Sequence, residues 1–153
     1  RNSVLELNRL CLLNNKKNQA SFLIGNSLKL LPKPSIVVSY ADSSINHHGY
    51  VYQATNFLYT GLSDKHKEWR MNKSNLHSLQ VCKLYSTEER KSNPDKFTFQ
   101  ERPRKHRYIY FLGDKKQKKE MLGKLNYNIE PYPKGDNKNY EVGHKPTVQG
   151  LLF

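Results

Sequence analysis

Cysteine is nearly absent: Cys11 and Cys82 are the chain's 2 in 153 residues, and their wide separation matches neither a disulfide framework nor a paired metal-ligand spacing. A reducing, intracellular setting is the expectation. Long apolar runs are missing too. Nothing approaches the ~20 residues that a bilayer-spanning helix needs, and no basic start leads into a signal-like apolar stretch. A chain without a membrane partner, working in the cytoplasm, is expected. Acidic side chains are scarce, with 13 Asp and Glu against 26 Lys and Arg for a net charge of +13. Such a balance favours a polyanionic partner, because each phosphate contact releases counterions. The most basic helical stretch, DKKQKKEMLGKL, has too few apolar positions to lie on a membrane surface, which leaves nucleic acid as the leading partner. No helix-turn-helix or zinc-finger signature accompanies the charge.

What is present is clustered. Arg102, Arg104, Lys105 and Arg107 sit together, with Lys115, Lys116, Lys118 and Lys119 shortly after. Hydrophobic content of 36% suits a single domain of modest core. Apolar residues from Val4 to Leu13 read as a strand, broken by NNKKNQ. The positions Phe22, Leu23, Leu28, Leu30 and Leu31 predict a helix over Gln19 to Leu31, closed by LPKP. IVVSY, Ile36 to Tyr40, reads as a buried strand, and Gly49 to Tyr59 as a second helix. Residues 62–95 are polar and aperiodic and read as a long insertion or loop. Lys96 to Gln100 and Arg107 to Leu112 read as a strand pair joined by ERPRK. Asp114 is placed to cap a helix over Lys115 to Leu125, and a turn-rich tail starts at about residue 128. The class expected is α/β, or α+β with a mixed sheet.

Chemistry concentrates in SYADSSINHHGYVYQATNFLYTG, Ser39 to Gly61. Asp42 ends a strand, where ligands of α/β sheets usually bind; it is either a general base or metal ligand, or an N-cap for the next segment. Tyr52 is either a general acid or an amphipathic core residue. On a helix, Tyr52, Asn56 and Tyr59 share a face. His48 with Asp42 joins imidazole to carboxylate, a pairing suited to iron or zinc, while His47 reads as a helix-start residue.

The spacing of Tyr52 to Asn56 and Phe57 resembles the penultimate helix of GNAT acyltransferases, with Asn56 in place of a glycine. SYAD, HHGYVYQATNFLYTG, KHRYIYFLG and EPYPKGDN together resemble the Mom proteins of Mu-like phages, from about Val4 to Tyr140. The resemblance implies a GNAT-like fold whose first strands and helices precede Arg1. It also implies modification of adenine in phage DNA, by transfer of a small acyl or glycinamide-like (carbamoylmethyl) group to the exocyclic amine, protecting it from host restriction. Donor contacts are then expected at Asn18, Gln19, Ser21 and Asn56. The GNAT pyrophosphate loop, Gln/Arg-x-x-Gly-x-Gly/Ala, appears here as QASFLIG, with Phe22 and Ile24 where small residues belong. Acetyl-CoA is therefore expected to bind weakly, and the donor is an acyl-CoA or another activated molecule such as a glycyl or aminoacyl carrier.

On this reading Asp42 removes or orients a proton and Tyr52 assists the leaving group. Tyr40, Tyr52 and Phe57 are candidates to stack the flipped adenine, with His48 beside them. Trp69 either fills the gap in double-stranded DNA or anchors a loop. Arg102, Arg104, Lys105, Arg107, Lys115 and Lys116 face phosphate. Two other classes remain open. A non-enzymatic DNA-binding protein shares the charge and aromatics, and an adenine methyltransferase would need a Gly-rich cofactor loop and a DPPY-like motif that the sequence lacks.

Overall fold

A computed structural model of the chain describes residues 3–14 and 16–135. Its elements run β1 (Ser3–Leu7), α1 (Gln19–Leu30), β2 (Ser35–Asp42), a 3₁₀ turn (Ser43–Ile45), α2 (Tyr50–Ala54), β3 (Leu58–Leu62), β4 (His66–Met71), α3 (Ser78–Leu84), α4 (Thr87–Ser92), β5 (Phe97–Arg102), β6 (Lys105–Leu112) and α5 (Lys115–Gly123). The chain divides into two compact units: one takes the residues up to Ser63 and from Lys105 onward, the other is Asp64–Arg104. Among the described residues no helix is long and apolar enough to cross a membrane.

The first unit is built on a mixed sheet in the order β1-β2-β6-β3. β1 and β2 run parallel, bridged by α1, while β2–β6 and β6–β3 are antiparallel. The period-two alternation of β2 divides its side chains between the two faces. Val37 and Ala41 join Ile24 and Leu28 of α1, with Phe57, Tyr59, Tyr108 and Leu112, in one core. Ile36 and Val38 pack on the other side against Ile109, Phe111 and Met121 of α5. Burying Phe57 and Tyr108, both at 0% exposure, contributes roughly 1.5–3 kcal/mol each. Buried serines are tolerated because they are bonded: Ser39 Oγ donates to Leu7 O at 2.8 Å and Ser35 Oγ to Pro32 O at 2.6 Å.

Several local expectations are corrected. The strand read over Val4 to Leu13 is confined to Ser3–Leu7. The helix read over Gly49 to Tyr59 stops at Ala54. Asn56 has φ +62°, a left-handed conformation that ends helices and that Asn tolerates better than other side chains. The chain then extends as β3, so Tyr59 lies on a strand beside Tyr108 and shares no helix face with Tyr52. The stretch read as a loop is folded: β4, α3 and α4 lie within it. Capping boxes start both helices, His77 with Gln80 and Ser86 with Glu89. Finally, β5 and β6 are not paired. β5 pairs with β4 inside the second unit, and β6 lies between β2 and β3.

Because Asn56 holds a left-handed backbone, Asn56→Ala should cost about 1 kcal/mol whereas Asn56→Gly should be close to neutral. Thermal melting of the two variants checks this, and equal losses would refute the backbone argument.

Candidate functional site

A cleft of about 580 Å³ opens between α1, α2 and the end of β6. Three of the four donor contacts expected from the sequence, Asn18, Ser21 and Asn56, line it together with Thr55, Tyr110, Lys29, Lys33 and Lys118. Gln19 is not in the lining; its Oε1 accepts from the Lys16 N–H at 3.3 Å. Asn18 adopts φ 61° and offers no side-chain cap to α1. The first turn of a helix without such a cap leaves N–H groups and the positive dipole end available to an anion. Ile24 is only 2% exposed, turned into the core, whereas Phe22 is 72% exposed in the cleft. The steric objection drawn from the sequence therefore rests on Phe22 alone. Three lysines and a helix start suit an anionic group.

Along β6 the same face presents Tyr110, Tyr108 and His106 at two-residue steps, about 7 Å apart. Tyr110 lines the cleft, and the next two side chains enter a buried histidine–tyrosine cluster. Tyr108 donates its hydroxyl to His48 O. Gln53 Nε2 donates to His48 O at 3.0 Å, Tyr108 Oη at 3.2 Å and Pro133 O at 3.1 Å. Burial holds the Tyr108 phenol well above its ordinary range, against the opposing pull of the Gln53 hydrogen bond. His106 Nδ1 and the Tyr59 hydroxyl are 2.9 Å apart, and the His48 and His106 rings lie 5.4 Å apart. Burial, and next the nearby His48, lower the His106 pKa, which favours its neutral imidazole. His48 Nε2 meets Asn46 Oδ1 at 2.9 Å, while its Nδ1 is buried with no hydrogen-bond partner.

The start of the turn-rich tail is a strap over this cluster. Glu130 N–H donates to Tyr59 O at 3.0 Å, Tyr132 Oη to Phe57 O at 2.8 Å, and Tyr50 Oη to Gly135 O at 3.0 Å. A Cβ on Gly135 would fall 2.0 Å from His48 Nε2, so only glycine allows the strap to close there. The tail beyond Gly135 lies outside the described residues.

Other expected site residues fall elsewhere. Asp42 Oδ1 accepts from Ser44 N–H at 2.9 Å and Ser44 Oγ at 2.6 Å, which makes it the cap of the 3₁₀ turn. Tyr52 is half-buried, its ring 5.5 Å from Phe57 and 5.2 Å from Tyr108. Tyr40 stands on the opposite sheet face, in a second cleft of about 390 Å³ with Arg107, Ile109 and Tyr127. Tyr40, Tyr52 and Phe57 thus do not form one stack. Arg107 is buried rather than facing phosphate: Nε donates to Thr60 Oγ1 at 3.0 Å, an Nη to Thr60 O at 2.9 Å, and its guanidinium lies 3.5 Å from the Tyr127 ring centre. Arg102 is exposed and Arg104 half-buried in the second unit, Lys105 is half-buried at the start of β6, and Lys115 and Lys116 are exposed at the start of α5. Trp69 is half-buried on β4. Among the described residues no group of three His, Cys, Asp or Glu side chains converges as a metal site.

Sequence reasoning missed His106, Tyr108, Tyr50 and Gln53, and it placed Tyr59 on a helix face instead of on β3 beside His106. The period-two run His106, Tyr108, Tyr110 in KHRYIYFLG was the available signal.

A basic mixed α/β fold, with an anion-suited cleft bounded by Tyr110 and a buried imidazole–phenol cluster further along the same face of β6, has the makings of an enzyme acting on a polyanion. The model of the Mom protein family matches residues 1–134. The chain belongs to that family, whose proteins serve phage DNA modification. A search of curated proteins finds no match.

The lowered His106 pKa fixes a sign. Unfolded histidine, with its value of 6.5, takes up a proton before the folded one does, so stability is full above 6.5 and is lost as pH falls toward the folded value. Melting temperature should therefore drop between pH 7.5 and 5.5, and the drop should shrink in His106→Gln. Parallel pH curves for the two proteins would show that His106 is not the group responsible.

Proposed function

We propose that this chain is a GNAT-like transferase that places an acyl or carbamoylmethyl group on the exocyclic amine of adenine in phage double-stranded DNA, guarding it against host restriction. The observation that carries this reading is the placement of the lysine-lined cleft and the imidazole–phenol cluster on one face of β6, in a chain of the Mom protein family. A parallel β1–β2 pair bridged by α1 supports the GNAT-like part. Asn18, Ser21, Lys29, Lys33, Lys118 and Asn56 would hold a phosphate-bearing activated donor such as an acyl-CoA or a glycyl or aminoacyl carrier. The donor supplies an electrophilic carbon with a leaving group attached.

In the transfer, adenine N6 forms a bond to that carbon, loses one proton, and the bond to the leaving group breaks. His48 is the candidate to take the N6 proton: with Nε2–H donated to Asn46 Oδ1, the lone pair lies on Nδ1, which has no other hydrogen-bond partner to occupy it. Asp42 acts one step back: by capping the 3₁₀ turn and accepting His47 N–H at 3.1 Å through its carbonyl, it orients the loop that carries His48. Tyr52 protonates the leaving group from α2, whose C-terminal Ala54 lines the donor cleft. Adenine must leave the helix stack to arrive there, at a cost of a few kcal/mol.

Mass spectrometry of nucleosides from DNA of cells expressing the protein tests the reading directly. Added mass on deoxyadenosine is expected, and a bare methyl group would turn the assignment to methyl transfer. Tyr52→Phe should lower modification ~10²–10⁴-fold with DNA affinity nearly unchanged; full activity would remove Tyr52 from the chemistry.

Phosphate contacts are the second expectation. Replacing Arg102, Arg104 and Lys105 with Ala should flatten the slope of log affinity against log salt by up to about 0.9 per lost contact, whereas Arg107→Ala, which empties a buried and bonded position, should instead destabilise the fold by roughly 1–3 kcal/mol. An affinity series across salt, with melting curves alongside, separates the two; an unchanged slope in the triple variant would move the DNA face elsewhere.

A further inference from the structure

The Asp64–Arg104 unit carries an aromatic feature that the transfer chemistry does not use. Trp69 of β4 is paired in register with Phe99 of β5, and their rings lie 4.9 Å apart at 34°. The Arg90 guanidinium packs 5.4 Å from the Trp69 ring centre. Arg90 is itself buried and held by Ser86 O, Thr87 Oγ1 and Cys82 Sγ. Trp69 is therefore clamped in place and is not a mobile wedge. Phe97, two residues from Phe99 and so on the same ribbon face, is closed off at 3% exposure, with Tyr85 against it at 4.9 Å. Phe99 is 52% exposed. The rigidly backed ring is thus half open to solvent, and Lys67 Nζ lies over it, 5.9 Å from its centre. Glu101, opposite Lys67 in the ladder, is the acid at this edge.

We infer that Phe99, backed by Trp69 and covered by the flexible Lys67 side chain, is a stacking platform for an unpaired base of DNA. This rests on the reading of the chain as a DNA adenine modification enzyme, which must open a base pair. A ring already fixed by its neighbours loses little freedom on stacking, and every base offers a π-face, so the contact is indifferent to sequence. The lysine over the ring sits on a flexible stem, so an incoming base displaces it toward the phosphate next to that base. A fully paired duplex exposes no such face along its side, whereas a base left without its partner does.

The test uses the full chain. Its single tryptophan is Trp69, so intrinsic fluorescence reports from the platform itself. The protein is titrated at fixed salt with a duplex carrying one unpaired base and with the same duplex fully paired. The unpaired base should change Trp69 emission and bind more tightly. Phe99→Ala should weaken that binding roughly tenfold, the effect of one lost base stack, and leave the paired duplex nearly unaffected. Phe99→Leu, which keeps the apolar packing but not the π-face, should show the same loss even if Phe99→Ala folds poorly, and Phe99→Tyr should restore binding. Glu101→Gln should tighten both complexes. Equal affinity of wild type and Phe99→Leu for the unpaired-base duplex would overturn the proposal, as would Trp69 emission that responds identically to the two duplexes. Nucleoside mass spectrometry reports on the enzymatic reading separately: a Phe99-dependent preference without adenine modification would leave the platform standing and remove the enzyme.

Discussion

A buried phenol needs a hydrogen-bond partner, and much of the first unit is arranged around supplying one to Tyr108. That side chain has no exposed surface, and an unsatisfied hydroxyl there would cost about 1–3 kcal/mol. Its bond to His48 O fixes the chain at the HHG turn. A Cβ on Gly49 would meet Tyr108 Cε2 at 2.5 Å, and Gly49 has φ +70°, so the turn can approach the ring only as glycine. From that point α2 begins, Gln53 returns to the same hydroxyl and carbonyl, and Pro133 O is drawn to the amide. Strand, turn, helix and strap are thus tied through one oxygen and its partner carbonyl.

The two faces of the sheet are chemically unlike. One carries the lysine-lined cleft and the imidazole–phenol cluster; the other carries an aliphatic layer beneath α5 and a cleft with Tyr40, Arg107 and Tyr127. Parity alone decides which residue goes where, since neighbours on β6 alternate between them. His106 and Arg107 are adjacent in sequence, yet one meets Tyr59 and the other Thr60 and Tyr127.

The parts of the fold legible in the sequence are those with strong local signals. The β-branched run of β2 and the Asp114 capping box of α5 were readable because propensity and capping agreed. The end of α2 was hidden because aromatic and β-branched residues continue across it, and only the left-handed Asn56 marks the stop. In the inserted unit, short helices of polar composition give little periodicity, although Ser86 with Glu89 is a capping pair visible in the letters. Asn18, Ser21 and Asn56, which the resemblance groups as donor contacts, line one cleft, although Gln19 of the same group does not. The basic cluster misled, because linear proximity cannot show that Arg107 is committed to the interior. His106 was passed over for a related reason: a histidine inside a basic run reads as more charge until the alternation of β6 turns it inward.

The junction of the two units has a consequence of its own. Ser63 N–H donates to Lys105 O at 2.7 Å, and Lys105 N–H donates to Ser63 Oγ at 3.0 Å. The chain leaves the sheet and rejoins it at two residues already bonded to each other, much as it would at the mouth of a hairpin. The entropy cost of closing a segment at its base grows only slowly with its length, about 0.6 kcal/mol for each doubling. A longer, shorter or differently charged segment can therefore stand between Ser63 and Lys105 while the strands on either side keep their register, which makes the position a natural graft point.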